Sequence, residues 1–483
     1  MPIRKVTEFL SEISRFFKKD NANHAMFSIM DMIKGIKMTE TVLFGTKSKC
    51  NHVYPLLQVF QALLLYPCFI VRNPYKFEQS SLSSILGCKK DVFYRFMENP
   101  DLNWRKILYH INMQIWTKNQ IRSEHKDGTT CLLIDDTDFP KTGRRIENIG
   151  RVYSHLAHKS VLGFKALFLG ITDGTSQMLL DFALVGEKGK KGKYGMSDKE
   201  LKKRFTKDRS PETELQERID EYEMSKISLA ISMIKQAIKK KVKFRYVLAD
   251  SWFACSEIIC FIRSRHLACD YLGMIKVGKK GLTKYRFEKK DYTAPALLKL
   301  LDKRKSRKYS RKLRCHYITV DVQFAGTKVR LFFVRRGKNE SWNGLITTDT
   351  KLEFLEAYKI YSQRWALEVI FKESKGLLGL GKCQANNFAS QIAATSIVVL
   401  QYNILSLVKR FSAYETIGKL FEETTKDSLE LTITQRIWGA LQEIVIAVAN
   451  LFNLTDDEIL DVVIYKSDEL AHICDIYKLK QAS

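Results

Sequence analysis

The chain has 483 residues, with 45% hydrophobic and 28% charged positions, 24 glycines and 8 prolines. That composition excludes a disordered or collagen-like chain and allows several packed domains. Lysine and arginine number 80 against 53 acidic residues, a net charge of +27, and so large an excess points to a polyanionic partner. The two longest apolar stretches, Tyr54 to Val71 and Phe388 to Val408, are interrupted by Pro, Gln, Ser, Thr or Asn. Neither supplies the ~20 unbroken apolar residues of a spanning helix. No membrane partner is therefore expected. The ten cysteines form no CxxC pair, which argues against a zinc site and suits a reducing cytoplasm.

Residues 1–125 read as helical, because apolar positions recur every three or four residues. Within them SLSSILGCKKDVFYRFM has helix-turn-helix spacing, with Gly87 at the bend and Asp91 as the second cap. Two packed core helices fit the pattern equally well. Lys89, Lys90 and Arg95 are the phosphate-contact candidates of this region.

From residue 126 the pattern turns α/β. TTCLLIDD is a short apolar run ending in two carboxylates, and GFKALFLGITDG and MLLDFALVG follow as a hairpin. A helix over 212–240 precedes FRYVLAD, a second apolar strand closing on a carboxylate, Asp250. A helix over 253–265 and a strand over 270–276 complete a mixed-sheet unit. Residues 277–340 interrupt it with two strands, HYITVDVQF and KVRLFFVRR, behind a run from Lys303 to Arg314 in which eight of twelve residues are basic. LITTD resumes the sheet, a helix spans 352–375, and 413–483 reads as a separate helical region. His155 and His158 lack the context of a metal site, and no phosphate-binding glycine loop appears.

Two strands thus end in aspartates, Asp136 (or its neighbour Asp135) and Asp250, at the carboxyl edge where open α/β sheets collect ligands. Either alone is most often a turn or cap residue. The helix YSQRWALEVIFKESK adds Tyr361, Arg364, Glu368 and Lys375 at offsets 0, 3, 7 and 14, within an arc of about 60° on one helix face.

This spacing, Tyr361-x2-Arg364-x3-Glu368-x6-Lys375, resembles the Y-R-E-K signature of DDE transposases of the insertion-sequence-4 family. IDDTDFPKTG and LADSWF look like that family's two aspartate motifs, and the resemblance covers about 130–410. It implies an RNase H-like mixed sheet flanked by helices, a β-rich basic insertion at 277–340, and helical regions at either end. The implied order is a DNA-binding region at 1–125, a catalytic domain in two parts (126–276 and 341–412) around the insertion, and the C-terminal region at 413–483.

By the same resemblance Asp136, Asp250 and Glu368 are the catalytic, metal-holding triad. Asp136 is preferred over Asp135 because the family's aspartate directly precedes a threonine, here Thr137; Asp135 would face the other way if the strand persists. Tyr361, Arg364 and Lys375 are implied to contact DNA phosphates, and Trp342 to hold a flipped base, against the plain reading of a packed tryptophan. The cofactor is Mg2+, with Mn2+ as a substitute, since hard cations prefer carboxylate oxygens. The implied partners are double-stranded DNA, at terminal inverted repeats and target, and a second copy of the chain in the DNA-bound complex. The implied setting is the cytoplasm, on the nucleoid. The implied chemistry is cut-and-paste transposition through a hairpin. A DNA-binding derivative without activity and an RNase H-like nuclease are the alternatives.

Overall fold

The computed structural model describes residues 25–45, 54–69, 71, 73–80, 83, 88–122, 129–154, 157–187, 195–264, 267–278, 281–337 and 339–411. The chain divides into two compact units, one of 1–35, 47–96 and 419–483, the other of 36–46 and 97–418.

In the first unit the described elements are helical, as the periodicity predicts. Leu56–Leu65 is buried along its whole length. Tyr66, Phe77 and Phe93 form a ring cluster with centroids 4.5–5.8 Å apart, a geometry that adds to simple area burial. Most of the first half of the proposed helix-turn-helix lies outside the described residues. Its second helix spans Lys90–Glu98, so Asp91 lies in the first turn rather than capping it from outside. Lys90 is paired with Glu78 at 3.0 Å, while Lys89 and Arg95 are exposed.

The second unit is built on one twelve-stranded sheet. In chain order the strands are β1 (Cys131–Pro140), β2 (Gly150–Ser154), β3 (Lys159–Thr172), β4 (Gln177–Val185), β5 (Tyr246–Ala249), β6 (Asp270–Ile275), β7 (Lys284–Phe287), β8 (Lys290–Thr293), β9 (Lys308–Ser310), β10 (Cys315–Phe324), β11 (Thr327–Arg335) and β12 (Asn343–Thr347). Their order is β2-β3-β1-β5-β6-β12-β11-β10-β7-β8, with β4 paired to β3 and β9 to β10. β1 runs antiparallel to β3 and parallel to β5, which is parallel to β6. The series β4-β3-β1-β5-β6 is the expected RNase H-like mixed sheet. Strands β7–β11, the β-rich segment foreseen between the second aspartate and the glutamate, extend the same sheet rather than forming a separate one.

The helices that matter for the site are α1 (Trp104–Arg122), α2 (Gln216–Tyr222), α3 (Lys226–Lys239), α4 (Ser256–Ser264), α5 (Phe354–Ser362), α6 (Trp365–Glu373) and α7 (Phe388–Phe411). Two expected long helices are each divided. The helix expected over 212–240 breaks before Ser225, whose hydroxyl caps α3 by accepting from the Ser228 amide. The one expected over 352–375 tightens at Gln363–Arg364, where amide bonds reach back three residues, Arg364 to Tyr361 and Leu367 to Arg364. A π turn, Ser374–Leu378, then carries Lys375.

The residues of α7 are long and apolar enough in sequence to cross a membrane, but nearly all are buried inside this unit. Their polar members are tied into the fold. The Asn403 amide donates to Asn112 Oδ1 on α1 at 2.8 Å and to the Leu179 carbonyl on β4 at 2.7 Å, so the buried amides are satisfied.

Candidate active site

The register of β1 decides which aspartate faces what. Leu133 pairs with Leu248 and Ile134 with Ala249 in the parallel β1–β5 ladder. The ladder ends there; Asp135 follows on β1 and Asp250 just past the end of β5, close enough for the Asp250 carboxylate to act on the Asp135 carboxyl. On β3, Asp135 lies opposite Phe168 and Leu133 opposite Gly170. The Phe168 ring packs tilted against that of Phe371 of α6, with centroids 5.2 Å apart. A Cβ on Gly170 would come within 2.9 Å of Leu367 Cδ2, so glycine there lets α6 approach the sheet closely. Asp135 and α6 therefore share one side.

β1 stays extended to Pro140, and Asp136 consequently faces the opposite side. There its Oδ2 accepts from Lys226 Nζ, at the start of α3, at 2.5 Å. Asp136, expected to join Asp250 and Glu368, thus bonds to Lys226, while Asp135, the neighbour left open as the alternative, bonds to Arg364.

Arg364 links the strand to the helix. Its Nη1 donates to Asp135 Oδ2 at 2.9 Å and its Nη2 to Glu368 Oε1 at 2.5 Å. The Arg364–Glu368 pair has the expected i,i+4 spacing. Burial pushes the Asp135 carboxyl up to about 7; the Arg364 guanidinium opposes this and the Asp250 carboxylate adds to it. Tyr361 lies close by. Burial pushes its phenol up to about 12, and its hydroxyl is buried without a hydrogen-bond partner among the described residues. Arg364 sits 5.9 Å from its ring centroid.

Lys375 reaches the same side of β1, donating to Thr137 Oγ1 at 2.6 Å and to the Asp138 carbonyl at 3.1 Å. Burial holds its ammonium below the ordinary lysine range. Tyr361, Arg364, Glu368 and Lys375 thus gather beside Asp135. Trp342 stands apart, just before β12, half-buried between the guanidinium groups of Arg335 at 4.9 Å and Arg307 at 5.7 Å from its ring. His155 lies outside the described residues.

Several neighbours were not foreseen. Trp252, two residues beyond Asp250, is 44% exposed and is held by its amide donating to Asp250 Oδ1 at 2.9 Å. Lys226 Nζ lies 4.1 Å from its ring centroid, within cation–π range. Trp365, beside Arg364, is 62% exposed. The tryptophans were visible as letters; only the pairing of β5 with β1 reveals that Trp252 lies beside the carboxylates.

The donor set is all oxygen and suits a hard divalent cation. Asp135 is a partly buried carboxyl whose one charged partner among the described residues is the Arg364 guanidinium. Asp135, Asp250 and Glu368 are the residues that would hold a cation. Among the described residues, however, no three such side chains stand close enough together to do so; Glu368 is paired with Arg364.

The loop after α6 is fixed to the end of β1 by Lys141, whose buried ammonium donates to the Gly381 and Cys383 carbonyls at 2.8 and 2.6 Å. Burial pulls Lys141 down to about 8. An unfolded lysine keeps its proton to about 10.4, so between these values the unfolded chain binds more protons and stability rises with pH. Urea midpoints of the wild type are expected to gain on those of Lys141→Met between pH 8 and 10, and to run parallel below pH 8. Parallel curves throughout would contradict the assignment.

Compared with known proteins, residues 83–269 match the family model described as DDE superfamily endonuclease. The match includes both strand-end aspartates and stops short of Glu368. No curated protein matches the chain. Among solved structures, the chain is similar to the cryo-EM structure of the piggyBac transposase synaptic complex with hairpin DNA, at 12% identity over 89% of this chain and 81% of that one, with a TM-score of 0.42.

Proposed function

We propose that this protein is a DDE-type DNA transposase that cuts and joins DNA at a site formed by Asp135, Asp250 and Glu368. The observation that carries the reading is that the β1–β5 ladder ends one residue before Asp135 and Asp250, and that Arg364 bonds both Asp135 and Glu368. The endonuclease family match over residues 83–269 supports it, as does the net charge of +27. The finer assignment, to the insertion-sequence-4 group with its Y-R-E-K signature, rests on the spacing of Tyr361, Arg364, Glu368 and Lys375.

Bound at the three carboxylates, paired Mg2+ ions, or Mn2+ in their place, would activate the attacking water and stabilise the departing oxygen. The chain's own groups have distinct tasks. Arg364 can fork onto phosphate oxygens, Lys375 supplies a point charge, and Tyr361 offers a hydroxyl. Gly170 admits α6 to the sheet, and Leu367 and Phe371 exclude water beneath Glu368. Cleavage through a hairpin, with Trp342 holding a flipped base, and synapsis of two copies on two DNA ends complete the proposed cycle.

The test is cleavage of a labelled duplex carrying the inverted repeats that flank the reading frame. Cutting is expected with Mg2+, not with EDTA, and not in Asp250→Ala or Glu368→Ala. Wild-type cutting by either variant removes that residue from the site. The engagement of Glu368 by Arg364 favours, as the second reading, a DNA-binding derivative unable to cut. Retained binding to the duplex with no cleavage under any metal condition would establish it.

A further inference from the structure

We propose that the turn between β9 and β10, with the basic strip that leads into it, is a DNA-contact surface separate from the carboxylate site, and that it holds the phosphates of a duplex running along the edge of the sheet. The inference rests on the reading of the protein as one that acts on DNA, and adds a second place where the duplex is held.

From Lys303 to Arg314 the chain carries eight cations and no carboxylate. Two are neutralised by neighbouring acidic groups, Arg304 by Glu288 at 2.6 Å and Arg307 by Asp302 at 2.7 Å. The other six, Lys303, Lys305, Lys308, Arg311, Lys312 and Arg314, are exposed and have no ion-pair partner among the described residues. Ser310 closes the turn, its hydroxyl accepting from the Leu313 amide at 3.3 Å, so three of these cations sit on one fixed tip of four residues. Lys305 and Arg314 hold left-handed backbone, φ 55° and 48°, where glycine or asparagine is the less strained choice. Like charges crowded in this way repel one another, and a polyanion relieves that repulsion.

The sheet fixes where the tip lies. Ser310 pairs with Cys315, and His316 with Arg335 at the end of β11. Val334 of β11 then pairs with Asn343 of β12, and Gly344 with Ile275 at the end of β6. β6 runs parallel to β5, the strand that Asp250 follows. The tip therefore projects from the edge of the sheet at which β5 and β6 end. Along the path β5-β6-β12-β11-β10-β9 it stands five strand spacings from β5, about 24 Å, or about seven base-pair steps of about 3.4 Å. A phosphate met at the tip is not one that lies at the carboxylates, yet one duplex spans both.

The chemistry of the tip selects the partner. A loop that docks on a membrane carries apolar side chains into the interface as well as charge, and the one aliphatic residue of this turn, Leu313, is half-buried. Exposed lysine and arginine stems on a short turn set point charges along a phosphate backbone and read no bases. Duplex DNA, held by charge and without regard to sequence, is therefore the occupant.

The experiment measures binding of the full-length protein to a fluorescent duplex of arbitrary sequence between about 50 and 200 mM salt, where each phosphate contact contributes about 0.9 to the slope of log affinity against log salt. The proteins compared are the wild type, a turn variant (Arg311→Gln, Lys312→Gln, Arg314→Asn) and a control (Lys239→Gln, Lys240→Gln, Lys241→Asn). The control removes the same charge from exposed residues at the end of α3, shortly before β5 begins and so at the opposite edge of the sheet. Asparagine replaces Arg314 and Lys241 because both hold left-handed backbone. The turn variant is expected to lose about 2 to 3 from the slope, equally on a second duplex of unrelated sequence, and the control less than about 1. Equal losses in the two variants would mean that net charge alone sets the binding. Wild-type binding by the turn variant would mean that the tip meets no phosphate. Either result overturns the surface and leaves the transposase reading standing. A turn variant that keeps its duplex binding but no longer sediments with phosphatidylserine vesicles, as the wild type does, would assign the tip to a membrane and overturn the proposal. No duplex binding by the wild type would overturn the surface and the transposase reading together.

Discussion

Asp135→Asn is expected to lower Mg2+-dependent DNA cleavage by about 10³-fold or more, whereas Asp136→Asn should stay within about tenfold of the wild type. A catalytic cation supplies several kcal/mol of transition-state stabilisation, and each ~1.4 kcal/mol is a factor of ten. Losing a carboxylate that holds the cation forfeits most of that. Asp136 faces Lys226 on the other side of β1, so asparagine there weakens one partly buried ion pair that touches neither Asp250 nor Glu368. The pair of variants is a sharp comparison because the two residues are adjacent in sequence and alike in chemistry. Only the pleat of the strand separates them. The reverse outcome, loss in Asp136→Asn and retention in Asp135→Asn, would require the end of β1 to twist by one residue relative to β5.

The second large effect is on stability. Asp181 on β4 is fully buried at the centre of an ion cluster beneath the sheet. Its Oδ2 accepts from Arg105 Nε of α1 at 2.8 Å, and Arg218 of α2 lies 3.5 Å from its Oδ1. Glu221 also meets both arginines, at 2.6 and 3.2 Å, and the exposed Glu217 meets Arg105 at 2.7 Å. Asp181→Ala leaves two buried guanidinium groups sharing one buried carboxylate. Removing one partner of such a network costs about 3–5 kcal/mol, since the remaining charge stays desolvated. A matching fall in stability is expected from urea denaturation of the full chain. A fall of under about 1 kcal/mol would mean that water reaches the cluster and solvates the orphaned arginines.

Much of the fold follows from local pattern. The apolar runs at 131–134 and 246–249, the hairpin of β3 and β4, and the strands β10 and β11 have the residue types and lengths that strands require, and they lie where expected. The helix divisions are less evident. Ser225, ahead of the apolar-periodic run that opens with Ile227 and Leu229, is an N-cap residue type that could have split the helix over 212–240. The tightening at Gln363–Arg364 carries neither glycine nor proline and has no comparable signal.

The site is legible in its residue types, whereas the way its first aspartates face is not. Asp136 was chosen over Asp135 from the threonine that follows it, while alternation along the strand made the two choices exclusive. What decides between them is the pairing of Ile134 with Ala249, a contact between segments more than a hundred residues apart. No local pattern encodes it. Lys226 was missed for the same reason: its salt bridge to Asp136 and its contact with Trp252 span elements that only the sheet brings together. The expected metal centre was legible as three carboxylates, but the bridging role of Arg364 was not, because a guanidinium at i,i+4 from a glutamate reads as an ordinary helix-surface pair.

The central claim is that acidic side chains of β1, the end of β5 and the start of α6 meet at one divalent ion when DNA is bound. Iron-directed cleavage of the polypeptide tests it most directly: Fe2+ replaces Mg2+ on the full-length protein bound to the inverted-repeat duplex, and peroxide then releases hydroxyl radicals at the ion. Backbone cuts clustered near residues 135, 250 and 368, suppressed by excess Mg2+, are the expected result. Cuts at 135 and 250 without 368, or no Mg2+-sensitive cuts at all, would contradict it.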